Sequence, residues 1–232
     1  MSEVPASVEK AIERVPVWDL PTRIFHWLLV VLVGLSFATG WTGGDALQIH
    51  QWSGITILVL LLFRVAWGFI GGRHARFVAF VRGPVAVLRY ARGLGQSGAA
   101  RFVGHNPLGG WSVLLMLLSL FVQVGTGLFA QDEDLGFEGP LAARVSGATS
   151  RFLTHVHHVN LKVLYVLLGL HVLAILFYLV AKRENLVLPM ITGAKPWQGD
   201  SPDTGAGGGS VLLAAVVIVL AALAVLALLR AP

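Results

Sequence analysis

Five long apolar runs, at residues 24–41, 49–70, 108–130, 156–181 and 210–229, are separated by polar stretches that carry nearly all of the charge. Each approaches the roughly 20 residues that a helix needs to cross a bilayer. The pattern therefore predicts five transmembrane helices. The first run is short, but Trp18, Phe25, Trp27 and Trp41 supply aromatic side chains that seat a span at the membrane surfaces. A cleavable signal peptide is the competing reading of that run. It fits poorly, because 23 residues precede the apolar core and no small-x-small cleavage site follows it.

Composition supports a membrane solvent. The 232-residue chain is 56% hydrophobic and 12% charged, with a mean hydropathy of +0.76, well outside the range of ordinary soluble domains. The absence of cysteine excludes disulfides, zinc–thiolate sites, iron–sulfur clusters and covalent haem attachment within the chain. A net charge of +5 is compatible with nucleic acid, but the basic residues lie in loops between apolar runs, so nucleic acid is not an expected partner and membrane lipid is.

The loops alternate in sign. Lys10, Arg14 and Arg23 precede the first run, and the following turn, Thr42 to Gln48, has no basic residue. The connection from Gly71 to Pro107 carries Arg73, Arg76, Arg82, Arg89, Arg92 and Arg101; the next loop is led by Asp132, Glu133, Asp134 and Glu138; Lys182, Arg183 and Lys195 follow the fourth run. The positive-inside rule then puts the amino terminus in the cytoplasm and the carboxy terminus outside, the periplasm for a bacterial inner membrane. The expected organisation is a cytoplasmic segment (1–23), a four-helix transmembrane domain (24–192), a Gly-rich flexible linker (193–209) and a fifth helix (210–232). The linker is expected to detach the last helix, which has no His, aromatic or internal charge, and leave it facing lipid or another subunit.

Histidine carries the candidate chemistry, since an ionisable or ligating group inside a span marks function by default. Fourteen positions separate His157 and His171, which places both on one helix face about 21 Å apart. His155 and His158 point elsewhere. His26 opens the first span at the depth of His171, and His50 opens the second at the depth of His157. Two cross-bundle pairs, one near each surface, are what two six-coordinate haems require of a bundle core. His171, inside LLGLHVLAILF, is the costliest to leave unpartnered. His74 and His105, in the basic loop, read as solvated or interfacial, and His155 and His158 as surface residues. Gly40 and Gly54 leave space for a flat macrocycle or for close helix packing. Arg64 is placed to pair with propionates of the inner haem or to snorkel to the surface, and Lys162 is the corresponding, weaker candidate for the outer haem.

The stretches DLPTRIFHWLLV around His26, QIHQWSGITILVLLLFR around His50, GHNPLGGWSVLLMLL before the third span and HHVNLKVLYVLLGLH from His157 to His171 resemble the bacterial cytochrome b-561 family and the related b-type subunit of nickel-iron hydrogenases. The resemblance covers residues 17–192. It implies an all-α, four-helix di-haem core, with His26 and His171 on the inner haem b and His50 and His157 on the outer one. It also implies electron transfer between ubiquinone or menaquinone and a redox partner, either a c-type cytochrome or a hydrogenase or dehydrogenase subunit. A membrane-anchor subunit that reduces quinone for such a complex is the alternative. A transporter is the remote one, disfavoured by the lack of internal repeats and broken helices. The fifth helix lies outside the family's minimal core and leaves a further subunit, or a homo-oligomer, open.

Overall fold

The computed structural model describes residues 13–94, 102–132, 136–197 and 208–231. Lys10, Arg101, Glu133, Asp134 and most of the Gly-rich linker lie outside the described residues. In chain order the elements are β1 (Glu13–Pro16), α1 (Leu20–Thr42), α2 (Ala46–Ile70), α3 (Phe77–Phe80), α4 (Pro84–Gly93), α5 (Pro107–Gly127), β2 (Gln131–Asp132), β3 (Phe137–Glu138), α6 (Gly147–Val180), α7 (Val187–Thr192), β4 (Ala194–Trp197) and α8 (Val211–Arg230). Among them α1, α2, α5, α6 and α8 are long and apolar enough to cross a membrane, as the hydropathy pattern predicts.

Polar residues at the edges of the apolar runs set where most of the spans begin. Asp19 accepts from the Thr22 amide at 2.8 Å, with Pro21 in the first turn of α1. Asn106 accepts from the Gly109 amide ahead of Pro107 in α5, and Ser146 and Ser210 cap α6 and α8 in the same way. Each side chain satisfies an amide that the first helical turn leaves without a partner. The Ser146 cap explains why α6 begins nine residues before the apolar run expected from 156. Residues 147–155 are too polar to score as a span, yet they continue the helix.

The bundle is built from two helical hairpins. α1 packs along α2 and α5 along α6, while α2 also contacts α5 and α8. The first hairpin is tied at one end by Asp19, whose carboxylate also accepts from Trp67 Nε1 at 3.1 Å and the Gly72 amide at 3.0 Å. Partway along, Ser36 and Ser53 hydroxyls meet at 2.6 Å. The second hairpin is tied by a buried amide: Asn160 donates to the Ser119 carbonyl and to Gln123 Oε1 and accepts from Ser119 Oγ, at 2.7–2.9 Å. Such bonds hold helices together in a solvent that gives no hydrophobic drive between them. α1 and α6 do not pack along one another; Phe37 and Tyr165 meet across the space between them, ring centres 5.0 Å apart.

Outside the spans, β1 pairs antiparallel with β4, Glu13 opposite Trp197 and Pro16 opposite Ala194. The segment before α1 and the segment after α6 therefore share one end of the bundle, as an even number of intervening crossings requires. Lys195 is buried there in an ion pair with Glu184 and donates to the Phe102 carbonyl at 2.8 Å, which fastens the basic loop to the same end.

One expectation is corrected. The last helix is not detached: α8 docks on α2 through Ala214, Val217, Ala221 and Val225, all buried. At one end Gly209 lies directly against the Trp67 indole and Asp19. At the other, Arg144 donates to the carbonyls of Leu228 and Leu229 at 3.0 and 2.9 Å, a cation on the C-terminal carbonyls of a helix. A stripe of small residues is enough for close packing in lipid, and a search for aromatic or charged side chains passes over it. Replacing Ala221 with Phe should overpack this seam and cost about 1–3 kcal/mol, read as a lower melting temperature of the purified protein. Leu220→Phe, on the exposed face of the same turn, should leave the melting temperature unchanged.

Candidate functional site

The histidines of α6 sort as helix phase predicts: His157 and His171 are half-buried, whereas His155 and His158 are exposed. His50 on α2 faces His157 on α6 with ring centres 6.1 Å apart and planes inclined at 76°. The Nδ1 atom of His50 is 2.8 Å from the Ser36 carbonyl, and that of His157 is 2.9 Å from the Gln123 carbonyl. Each ring therefore donates its Nδ1 proton to backbone, which fixes the tautomer and leaves Nε2 as the basic nitrogen. The Nε2 of His157 accepts from the Gln123 side-chain amide at 2.9 Å.

Two glycines hold these rings in place. A Cβ on Gly40 would lie 3.1 Å from His50 Nδ1, and one on Gly127 would lie 3.0 Å from His157 Cε1. Gly54, four residues after His50, has no atom within 4 Å of its Cβ position. It opens onto a cavity of about 320 Å³ whose wall includes His50, His157, Phe37, Gln123 and Tyr165. Exposed His158 borders the same cavity. Lys162, expected to serve this end, is exposed and not in the cavity wall.

At the other end, His26 on α1 and His171 on α6 lie close enough to interact electrostatically across the space between the hairpins. The His26 ring packs edge-on against Trp27, with its buried Nδ1 lacking a hydrogen-bond partner. Arg64 stands fourteen positions after His50, so it shares that face of α2 about 21 Å deeper. It does not snorkel: the side chain is 4% exposed, donates to the Ala75 carbonyl at 3.1 Å and stacks over Phe77, 4.9 Å from the ring centre.

The basic loop brings two residues here that the sequence assigns to solvent. His105 lies between Trp18 and Phe80, ring centres 4.7 and 4.8 Å away, and its Nδ1 is enclosed. Burial, followed by the positive field of Arg64 and of the neighbouring histidines, pushes it down to about 3. His74 rests against Gly104 and is also lowered, by burial and then by Arg73. A loop rich in arginine reads as solvated. Trp18, Phe77 and Phe80, the aromatics that fold it against the bundle, were the available signal.

These residues fit haem. Among the described residues no group of three or more His, Asp or Glu side chains could hold a bare metal ion, so imidazoles in pairs suit an iron whose other ligands come from a macrocycle. The His50 and His157 ring centres, 6.1 Å apart, would leave room for one such iron between them. The backbone bonds at both outer Nδ1 atoms are the usual outer-shell partners of ligating histidine. A membrane bundle with facing imidazoles across its core is the architecture of a b-type cytochrome.

The chain belongs to the prokaryotic cytochrome b561 family, matched over residues 17–193. It is thus a multi-pass bacterial membrane cytochrome, with b-type haem and a role in electron transfer. It is 28% identical over 221 residues to a probable Ni/Fe-hydrogenase B-type cytochrome subunit of Rhizobium leguminosarum bv. viciae, covering 81% of this chain and 92% of that one. A protein of the same description from Azotobacter chroococcum mcd 1 is 25% identical, over 81% and 90% of the two chains. One from Escherichia coli K12 is 26% identical over 53% and 64%. No solved structure matches the chain significantly.

The glycine contacts give a direct check. Gly127→Val should displace the His157 ring and lower the haem absorbance per chain, whereas Gly34→Ala, whose Cβ meets nothing within 4 Å, should leave the spectrum unchanged.

Proposed function

We propose that the chain carries electrons across the bacterial inner membrane through two bis-histidine haems b, exchanging them with a quinone on one side of the reaction and a redox protein on the other. The observation that carries this reading is the facing pair of His50 and His157 at one end of the bundle, and it is supported by His26 and His171 lying within electrostatic range of one another at the other. A haem iron held between two imidazoles takes up and releases one electron without opening a coordination position. The chain's own residues fix the ligands. Ser36 and Gln123 carbonyls orient the two outer rings, and Gly40 and Gly127 allow them to stand where they do. Arg64 supplies a buried positive charge for carboxylates of the inner haem.

The names of the relatives favour a hydrogenase-type complex as the redox partner. The orientation with the amino terminus in the cytoplasm and the carboxy terminus in the periplasm is supported by the arginines gathered at the end where β1 meets β4.

The purified protein should contain about two haems per chain, all extractable by acid acetone, since no cysteine exists to attach them. Replacing His26 or His171 should remove one spectroscopic class, and replacing His50 or His157 the other. His158→Ala should remove neither. A measured ratio near one haem per chain, or loss of haem on changing His158 but not His157, would overturn the assignment.

A further inference from the structure

Six buried side-chain polar atoms lack a hydrogen-bond partner among the described residues: Thr22 Oγ1, Arg23 Nε, His26 Nδ1, Arg64 Nη1, His74 Nε2 and His105 Nδ1. Folded proteins leave few such atoms, because each costs the desolvation of a group that gains nothing in return. These six are not scattered. All belong to the start of α1, the far half of α2 and the basic loop, the end of the bundle that holds His26 and His171. Arg23 Nε and Arg64 Nη1 are obligate donors, the hydroxyl and the three imidazole nitrogens can each donate, and the Arg64 guanidinium is buried.

We propose that Arg64, His74 and His105 form the pocket that binds the propionate carboxylates of the inner haem. This rests on the reading that His26 and His171 hold that haem. Phe80 joins two of the three residues: the Arg64 guanidinium lies 6.0 Å from its ring centre and the His105 ring 4.8 Å. Gly104, next to His105, lies beside the third: a Cβ there would stand at ordinary contact distance, 3.4 Å, from His74 Nδ1. His105 also interacts electrostatically with Arg64, His74, His26 and His171, so the donors and the ligand pair occupy one neighbourhood.

The chemistry selects an anion with several acceptor atoms. A buried arginine is stable only when paired. The carboxylate that Arg64 feels most is Asp19, but its oxygens are taken by the Thr22 amide, Trp67 Nε1 and the Gly72 amide. A propionate accepts from a guanidinium N–H and an imidazole N–H together, in bonds strengthened by its charge. Among the described residues the outer cavity wall holds no lysine or arginine, so the two sites should differ in how much they depend on haem carboxylates.

That difference is the test. Full-length apoprotein in detergent is titrated with haem b and with haem dimethyl ester, which has the same iron and ring but no carboxylate. Binding at each histidine pair is read from its low-spin absorbance. The inner pair should bind the ester roughly tenfold or more weakly than haem, the worth of one hydrogen bond to a charged group, while the outer pair shows a smaller preference. Arg64→Met, His105→Phe and His74→Phe should each reduce the inner preference, with outer-pair absorbance confirming that the variant folds. Equal inner affinity for haem and ester in the unaltered protein would overturn the proposal; donors serving a lipid phosphate or a free anion would give that result. So would a preference unchanged in all three variants. If neither compound produces a bis-histidine spectrum at the inner pair, the two-haem reading falls as well.

Discussion

An imidazole buried among lipid-facing helices has to be satisfied at both of its nitrogens, and this constraint organises the bundle. At the end that holds His50 and His157, backbone carbonyls of Ser36 and Gln123 take the Nδ1 protons of the two rings, and the Gln123 side-chain amide donates to His157 Nε2. The carbonyl of Gln123 belongs to the same residue whose side chain receives Asn160. The bond that orients His157 is therefore anchored by the polar link that joins α5 to α6, and ligand geometry and helix packing rest on one set of atoms. A change at Ser119 or Asn160 would be felt at His157 through Gln123.

The inner end leaves that constraint open: the buried Nδ1 of His26 has no hydrogen-bond partner among the described residues. Its histidines come from α1 and α6, which do not pack along one another, and the loop between α2 and α5 folds against the same end. Tertiary ties hold that loop: Lys195 to Phe102, Trp111 Nε1 to the Arg82 carbonyl at 2.8 Å, and the Tyr178 hydroxyl bridging Tyr90 and Asn106 at 2.5 and 2.8 Å. The arginine-rich connection is thus a structural cap as well as a topological signal. Asp19 completes the arrangement by clamping the start of α1 to the end of α2, close to Gly209, which precedes the Ser210 cap of α8.

Periodicity made the spans and the histidine phases legible. The fourteen-residue interval between His157 and His171 needs only helix geometry, and the half-buried state of those two against the exposure of His155 and His158 follows from it. What stayed hidden depends on contacts between segments distant in sequence. His105 sits one residue before the cap of α5 and looks like any loop histidine until Trp18 and Phe80 close on it. The strand pair β1–β4 joins four-residue segments too short to carry an alternation signal. The seam of α8 was present as small residues at helical spacing, but composition alone assigned that helix to lipid.

The length of α6 bears on how electrons enter or leave. Its 34 residues extend about 51 Å at 1.5 Å each, against a hydrocarbon core of about 30 Å. The excess falls at the amino-terminal end, where Thr149, Ser150, Arg151, Thr154 and His155 precede the continuous apolar stretch. His157 is therefore at the boundary of the hydrocarbon and not at its centre, and His50, in the second turn of α2, is at the same level. The polar turns of α6 and the β2–β3 hairpin, tied to them by Thr154 and the Gln131 amide at 3.0 Å, stand over this pair. A group held between these two rings would lie near the membrane surface. His26 and His171, at the opposite end, share their neighbourhood with His105 of the folded basic loop. The two ends of the bundle thus differ in what covers them, an asymmetry that arises from where the polar residues of α6 and the aromatic residues of the loop fall in the sequence.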